Sequence, residues 1–279
     1  MKTKTSVRNH VNAKKVISFL IVCIMFFSFI APSTFAANSI TGGFAGINTY
    51  SYCGHGSRAG ASYCTNFSNG LNDIRLSINN ISYTRSYNLA NNNVTTNSIS
   101  SASRVTFFVY SGHGVVLNTN YNNALHVNQP SSGSITSHSS LGETSSLINL
   151  KTTSISFPHK YVVLYTCNQL ANSGSTTKEN NIFNMLNGTR ILFGFASQMY
   201  LDSREATLFT QNMKGLTMLD AFFNAARRYQ IESSTPVIAR AMGYSAAIND
   251  RISTSYNYAP AYSALPGSFG YLGDDVTVE

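Results

Sequence analysis

Apolar residues are distributed along the chain in two patterns, short continuous runs and stripes that recur every three to four residues. The continuous runs predict buried strands at Arg104–Tyr110, Tyr161–Thr166, Arg190–Ala196 and Val237–Tyr244. The periodic stripes predict helices at Leu71–Ile81, Leu141–Leu150, Lys178–Leu186, Ser203–Lys214 and Thr217–Gln230. Apolar strands that alternate with helices predict an α/β fold, with a mostly parallel sheet and helices on both faces.

Three polar stretches show neither pattern. Residues 37–69 are rich in Gly and Ser and are predicted to be irregular, and Asn88–Ser103 is predicted to be a connection. We therefore assign residues 37–103 as an irregular N-terminal segment of the same domain as residues 104–279. The low-complexity stretch Thr119–Ser146 is predicted to be a loop that either lines a binding cleft or is disordered.

The first 36 residues have the features of a signal peptide. Five basic residues precede the apolar run Val16–Ile30, and small residues suitable for cleavage follow at Ala36 and Ala37. A membrane-spanning helix needs about 20 apolar residues, so this run is too short for an anchor. We therefore expect residues 1–36 to be removed and the mature protein to be secreted, without a membrane partner.

The charge balance of the chain depends on this segment. The chain has a net charge of +8, from 19 Lys and Arg residues against 11 Asp and Glu residues. Five of the basic residues and none of the acidic ones precede Ala36, so the net charge of the remainder falls to +3. The remaining basic residues are scattered, and we expect no nucleic-acid partner.

Two short segments carry the candidate chemistry. His113 follows the apolar run that ends at Tyr110, and Cys167 follows the run that ends at Tyr165. The carboxyl ends of parallel strands share one edge of a sheet, where binding sites form, so these two side chains can meet in space. An imidazole beside a thiol favours the reactive thiolate and can protonate a leaving amine. Gly114, after the His, suits a turn where the backbone must approach another group closely.

The segments Phe107–Gly114 and Val162–Cys167 resemble the His and Cys blocks of clan CD cysteine peptidases, the group that contains caspases, gingipains, clostripain, legumain and separase. In that group an apolar strand ends in His-Gly, and a second strand ends in Cys about 50 residues later. The resemblance continues through Arg190–Ala196 to about Gln230, as in separase-type and CHAT-type domains. Thr166 is a departure, because the group commonly has Ala before the Cys.

The resemblance implies a caspase-like three-layer sandwich and an endopeptidase that needs a protein or peptide substrate and no cofactor. It implies His113 as general acid and Cys167 as nucleophile, with a thioester intermediate, and the amides of Gly114 and Cys167 are candidate oxyanion donors. Relatives often hold an acidic residue in the substrate pocket. Asp202 is the candidate by position, with Glu205 second, and either would favour Arg or Lys in the substrate. Asp202 equally suits the N-cap of the helix that follows it.

The cysteines outside the signal peptide are odd in number. Cys53, Cys64 and Cys167 remain, which predicts a Cys53–Cys64 disulfide and a free thiol at Cys167. The alternative for Cys167 is a buried structural thiol, because free cysteines are among the most buried residues.

Two further hypotheses compete with the peptidase. One is a catalytically silent caspase-like fold that acts as a secreted binding or toxin-like protein, since the chain is rich in Tyr and Ser. The other is a metal site, but the candidate ligands lack metal-binding spacing and we expect none. The additional histidines available for such a site are His55, His126, His138 and His159. Asp274–Asp275 is too small an acidic cluster for Ca²⁺. The sequence fixes no oligomeric state.

Overall fold

The fold is built from eleven described strands and five described helices. The computed structural model describes residues 38–49, 60–117, 122–127, 147–149, 158–171, 176–232 and 235–278. Residues 38–279 form one unit, and residues 1–37, with the predicted signal peptide, lie outside the described residues. The strands are β1 (Asn38–Gly46), β2 (Ile81–Ala90), β3 (Phe107–Ser111), β4 (Gly114–Leu117), β5 (Asn122–His126), β6 (Leu147–Asn149), β7 (Tyr161–Tyr165), β8 (Ile191–Phe195), β9 (Val237–Tyr244), β10 (Phe269–Tyr271) and β11 (Val276–Val278). The helices are α1 (Gly60–Ser77), α2 (Thr96–Ser100), α3 (Thr176–Asn184), α4 (Ser203–Asn212) and α5 (Met218–Tyr229).

Eight of the strands form one mixed sheet. Its order is β10-β9-β8-β7-β3-β1-β2, and β11 also pairs with β9. The five strands β2, β1, β3, β7 and β8 run parallel to one another. β9 runs antiparallel to β8, and β10 and β11 run antiparallel to β9. The predicted α/β class with a mostly parallel sheet is confirmed.

The central strands are buried on both faces, which explains their continuous apolar sequences. All five residues of β3, β7 and β8 are buried. Alternate side chains enter two hydrophobic clusters, because successive residues of a strand point to opposite faces. One cluster contains Val109 and Val163 together with side chains of α1, α4 and α5. The other contains Phe108 and Val162 together with Ile182 and neighbouring residues of α3.

The predicted irregular segment over residues 37–103 is wrong for most of its described part. β1 lies inside the sheet between β2 and β3, and α1 spans 18 residues rather than the short helix predicted at Leu71–Ile81. The face of α1 that packs on the sheet carries Tyr63, Phe67, Leu71 and Ile74. Burial of this face outweighs the low helix propensity of the Gly, Ser and Asn residues around it. The predicted connection Asn88–Ser103 holds the end of β2 and the short helix α2.

Most of the later predictions are confirmed to within a few residues. The structure has strands at Ile191–Phe195 and Val237–Tyr244 and helices at Thr176–Asn184 and Ser203–Asn212. α5 begins as predicted, because the Thr217 side chain caps it by accepting the Asp220 N–H at 3.1 Å.

A second, three-stranded sheet follows His113 in the chain. β4 pairs antiparallel with β5, and β5 pairs antiparallel with β6. The helix predicted at Leu141–Leu150 is wrong for the three residues of this range that the structure describes, because residues 147–149 form β6. The predicted loop Thr119–Ser146 contains β5, and its remaining residues lie almost wholly outside the described part. Within the described ranges, no helix is long and apolar enough to cross a membrane.

Candidate active site

His113 and Cys167 follow two neighbouring strands. β3 and β7 are paired in parallel, from Phe107 opposite Tyr161 to Ser111 opposite Tyr165. His113 and Cys167 each lie two residues beyond the last of these pairs, so both leave the sheet at the same edge. Both residues are only partly buried. The sequence predicted the shared edge, and the structure adds that the two strands are direct neighbours.

The turns that carry the two residues are in close contact. A Cβ atom placed on Gly114 would lie 2.1 Å from the Cys167 carbonyl oxygen and 2.7 Å from Thr166 Oγ1. Position 114 therefore needs glycine, and the reason is its approach to the Cys turn. The Tyr110 hydroxyl donates to the His113 carbonyl at 3.2 Å and ties the His turn to its own strand.

The strand order also favours a binding site at this edge. β1 lies between β2 and β3. The chain therefore passes from β1 to β2 on one side of β1 and then crosses to β3 on its other side. In open α/β sheets, ligands bind outside the carboxyl ends of strands at such a switch point. His113 follows β3, which is one of the two strands at the switch point.

The Cys167 thiol is held by the backbone of Met199. The Met199 N–H donates to Sγ at 3.4 Å, and the thiol donates to the Met199 carbonyl at 3.7 Å. Burial raises the pKa of Cys167, and the hydrogen bond from Met199 acts in the opposite direction. Asn168 has a positive φ of 59°, which turns the chain sharply after the Cys, and its N–H donates to the Ser197 carbonyl at 2.8 Å. The thiol is thus protonated at neutral pH unless a positive charge comes close.

A buried polar cluster lies on the same side of β7 as Cys167. We name it the Tyr165 cluster; it comprises the side chains of Tyr165, Glu205 and Gln230. The Tyr165 hydroxyl is 2.9 Å from Glu205 Oε2, and Gln230 Nε2 donates to the same oxygen at 2.6 Å. Its partners include the backbone of Tyr200 and Asp202, in the segment that joins β8 to α4. Of its three members, only Glu205 was predicted as a site residue, and in a different role.

Glu205 does not line an open pocket, contrary to the role that we predicted for it. Its side chain has no exposed surface, and Oε1 has no hydrogen-bond partner among the described residues. Burial raises the pKa of Glu205 to about 8, although hydrogen bonds from Gln230 and Tyr165 act to lower it. The carboxyl group is therefore mostly protonated at neutral pH and is enclosed by protein rather than available to a substrate cation.

Asp202 is engaged with the start of α4. Its side chain accepts the Arg204 N–H at 2.8 Å as the helix N-cap, and it also forms an ion pair with the Arg204 guanidinium at 2.5 Å. Burial acts to raise the pKa of Asp202, but the hydrogen bonds and charge of Arg204 outweigh it and the pKa is lowered. The structure thus has the N-cap alternative, with the carboxylate already paired to a cation.

The predicted Cys53–Cys64 disulfide is contradicted by the state of Cys64. This residue carries a free, buried thiol on the inner face of α1. The thiol lies 3.7 Å from the Val109 carbonyl, to which it donates, and burial raises its pKa to about 12. Cys53 lies outside the described residues.

The described histidines and carboxylates do not form a metal site. No group of three or more His, Cys, Asp or Glu side chains in the described part of the chain is arranged to hold a metal ion. His159 is buried and stacks on Phe108 with ring centroids 4.8 Å apart, and its Nδ1 accepts the Val105 N–H. Burial lowers the pKa of His159 to about 4. His55 and His138, and the side chain of His126, lie outside the described residues.

A family model with the description "Domain of unknown function (DUF6345)" matches residues 45–266, a span that includes β3, β7 and both His113 and Cys167. No curated protein matches the chain.

Proposed function

The chain belongs to the DUF6345 family, and we propose that it is a secreted cysteine endopeptidase with a caspase-like, three-layer fold. The substrate is a protein or peptide, and the reaction is hydrolysis of a peptide bond by a dyad of His113 and Cys167. The proposal rests on the resemblance of the His and Cys blocks to clan CD peptidases together with the geometry of β3 and β7.

One observation carries the proposal. His113 and Cys167 each follow a fully buried strand by two residues, the two strands are adjacent and parallel, and the turns after them are in contact at Gly114. A sheet built in this way presents an imidazole and a thiol at one edge on rigid supports. Rigid elements hold reacting groups more accurately than loops do.

The chemistry assigns one role to each side chain. Cys167 gives its proton to His113, and the Sγ thiolate attacks the carbonyl carbon of the scissile peptide bond. As the C–N bond breaks, the protonated His113 donates its proton to the leaving amine, and a thioester to Cys167 remains. A water molecule then attacks the thioester, His113 takes a proton from it, and the carboxylic acid leaves as the thiol is restored. The proposal assigns the developing oxyanion to the Gly114 and Cys167 amides.

The proposal specifies no preference for Arg or Lys in the substrate. Asp202 is already paired with Arg204, and Glu205 is enclosed in the Tyr165 cluster. A basic side chain in the substrate would have to displace Arg204 from Asp202 before it gained a partner.

A second candidate is a secreted binding or toxin-like protein that keeps the fold without the reaction. The observation in its favour is the Cys167 thiol, whose pKa is raised by burial rather than lowered toward the thiolate. A nucleophilic cysteine usually shows the opposite shift.

The test is cleavage of a peptide library by the secreted protein at neutral pH, with products identified by mass spectrometry. We expect Cys167→Ala and His113→Ala to lower cleavage about 10³-fold or more, because each removes a reacting group. Cys64→Ala is the matched control, since it removes a buried thiol from the same core and should leave the rate nearly unchanged.

Each outcome separates the two candidates. Loss of cleavage in Cys167→Ala with retained activity in Cys64→Ala supports the peptidase. A wild-type protein that folds but cleaves no library member, and whose cell-surface or host binding survives Cys167→Ala, supports the binding protein instead. Equal activity of the wild type and Cys167→Ala would contradict the peptidase outright.

A further inference from the structure

The backbone donor that reaches Cys167 belongs to a connecting segment. Met199 lies between β8 and α4, and its N–H is the group that donates to Sγ at 3.4 Å. Such a connection has no ladder of strand hydrogen bonds along its length. Its position must therefore be set by other polar contacts.

Gln230 holds the residue next to Met199 by both of its backbone groups. Gln230 Oε1 accepts the Tyr200 N–H at 2.8 Å, and Nε2 donates to the Tyr200 carbonyl at 2.9 Å. The second Nε2 hydrogen goes to Glu205 Oε2. The Gln230 side chain is fully buried, so these bonds are shielded from water.

Tyr165 holds the other end of the same segment. Its hydroxyl oxygen accepts the Asp202 N–H at 3.1 Å, and its ring stacks on Tyr63 with centroids 3.7 Å apart. Tyr165 is the last residue of β7 and precedes Cys167 by two residues. It therefore fixes the segment between β8 and α4 relative to the strand that leads to the thiol.

We propose that the Tyr165 cluster positions the backbone of residues 199–202, so that the Met199 N–H donates to Cys167 Sγ and stabilises the thiolate. Tyr165, Glu205 and Gln230 are then positioning residues, since none of them is the group that reacts. This inference rests on the proposed function, because a stabilised thiolate matters only if Cys167 is the nucleophile.

The charges around the cluster are compatible with a nearby thiolate. Burial raises the pKa of Glu205 to about 8, so its carboxyl is mostly uncharged at neutral pH and does not repel the sulfur. Asp202 is neutralised by Arg204. Tyr63, Tyr165 and Cys64 also lie in or beside the cluster, and burial raises the pKa of each above its ordinary value, so all three are uncharged at neutral pH. His113 follows the neighbouring strand at the same edge of the sheet.

The experiment measures the titration of the Cys167 thiol directly and needs no substrate. The full secreted chain is alkylated with iodoacetamide between about pH 5.5 and pH 10, and the rate at Cys167 is followed by mass spectrometry of its peptide. The variants are Tyr165→Phe and Gln230→Leu. Tyr161→Phe is the matched control. This buried tyrosine lies at the opposite end of the same strand from Tyr165, and it donates to Asp250 at 2.8 Å and not to the segment that holds Met199.

We expect the pKa of Cys167 to rise by about one unit in Tyr165→Phe and in Gln230→Leu, and to stay unchanged in Tyr161→Phe. The thiolate fraction at pH 7 then falls about tenfold. Alkylation falls only about threefold, because a more basic thiolate is a better nucleophile. Cys64 reports on folding in the same samples, since it is buried and is alkylated only when the protein opens.

The inference is overturned if neither variant moves the titration while Cys64 stays protected, or if Tyr161→Phe moves it equally. Its failure is separate from failure of the peptidase proposal. A shifted titration in a protein that cleaves no peptide supports the positioning role and contradicts the reaction. Peptide cleavage that depends on Cys167, with an unchanged Cys167 titration in every variant, supports the peptidase and contradicts the positioning role.

Discussion

At the scale of single residues, Glu205 links burial to the pH dependence of stability. Its pKa is about 8 in the folded protein against an ordinary value of 4.5. Between these two values the unfolded chain gives up a proton that the folded protein retains. The stability that the protonated Glu205 confers is therefore complete below about pH 4.5 and is lost as the pH rises to about 8.

We predict that Glu205→Gln removes this loss. The amide keeps the shape of the protonated acid, and its oxygen can still accept from Tyr165 and Gln230. The variant should come within about 1 kcal/mol of the wild type at pH 5 and exceed its free energy of unfolding by roughly 3–5 kcal/mol at pH 8.5. Urea unfolding at both pH values measures the difference. A difference that is the same at pH 5 and pH 8.5 would contradict the buried titration.

The sequence indicated the two residues that we propose to react, but it gave Glu205 a different role and missed Tyr165, Gln230 and the Met199 N–H. His113 and Cys167 could be found because each ends an apolar run, which is a local pattern. Glu205 is an acidic residue in the first turn of a helix, and such a residue usually contacts solvent and the helix dipole. Its burial depends on Gln230, which is 25 positions away. The Met199 donor is a backbone group and leaves no signal in the sequence.

At the scale of elements, the packing of α1 against α4 depends on Gly70. A Cβ atom at this position would lie 1.9 Å from Thr210 Oγ1 and 2.5 Å from Thr210 Cβ. The glycine weakens the isolated helix by about 1 kcal/mol relative to Ala but lets the two helices approach closely.

We predict that Gly70→Ala destabilises the protein by about 1–3 kcal/mol, because the overlap with Thr210 exceeds the gain in helix propensity. The neighbouring exposed residue gives the matched control. Asn69→Ala should raise stability by a few tenths of a kcal/mol, because only propensity changes there. Thermal unfolding of both variants measures the contrast, and stabilisation by Gly70→Ala would show that the helices can move apart at little cost.

β1 was missed for a similar physical reason. Its glycines made residues 37–69 look irregular, but the structure uses them where other groups come close. A Cβ atom on Gly43 would lie 2.1 Å from Tyr87 Cζ, and one on Gly46 would lie 2.6 Å from Ala61 Cα. Glycine in a strand can mark close packing as well as a loop, and the sequence alone does not distinguish the two. The spacing of Tyr63, Phe67, Leu71 and Ile74 was a readable helical signal for α1.

At the scale of the whole molecule, a buried ion pair joins β8 to the segment that follows β9. Arg190 Nε and Nη2 donate to the two carboxylate oxygens of Asp250, at 2.5 and 2.7 Å, and both side chains are buried. Tyr161 donates to the same carboxylate, so three parts of the chain meet there. Tyr161 begins β7 and Arg190 directly precedes β8, so this junction lies at the amino ends of these strands. Cys167 lies at the opposite end, beyond the last residue of β7.

We predict that Asp250→Asn destabilises the protein by about 3–5 kcal/mol, because the Arg190 charge stays buried without a compensating anion. Asp275→Asn is the matched control, since it breaks the more exposed pair with Arg240 and should cost about 1 kcal/mol or less. Urea unfolding measures both. Equal effects would show that water reaches Arg190 more easily than its burial implies.

The class of fold could be predicted from the sequence, whereas strand direction could not. Apolar runs alternating with helices indicated a sheet covered by helices. Val237–Tyr244 was correctly predicted as a strand, but its hydrophobic pattern is the same in either direction, and β9 is antiparallel. The short strands Phe269–Tyr271 and Val276–Val278 gave no pattern of useful length.

The position of β3 and β7 in the strand order has a consequence for the motions of the molecule. Each has a neighbour on both sides, so neither can separate from the sheet unless other strands separate as well. Their amide hydrogens should exchange with solvent only when the whole sheet opens, whereas the turns after them can open locally. The residues that we propose to meet a substrate would then open locally on a support whose amide hydrogens are among the slowest in the protein to exchange.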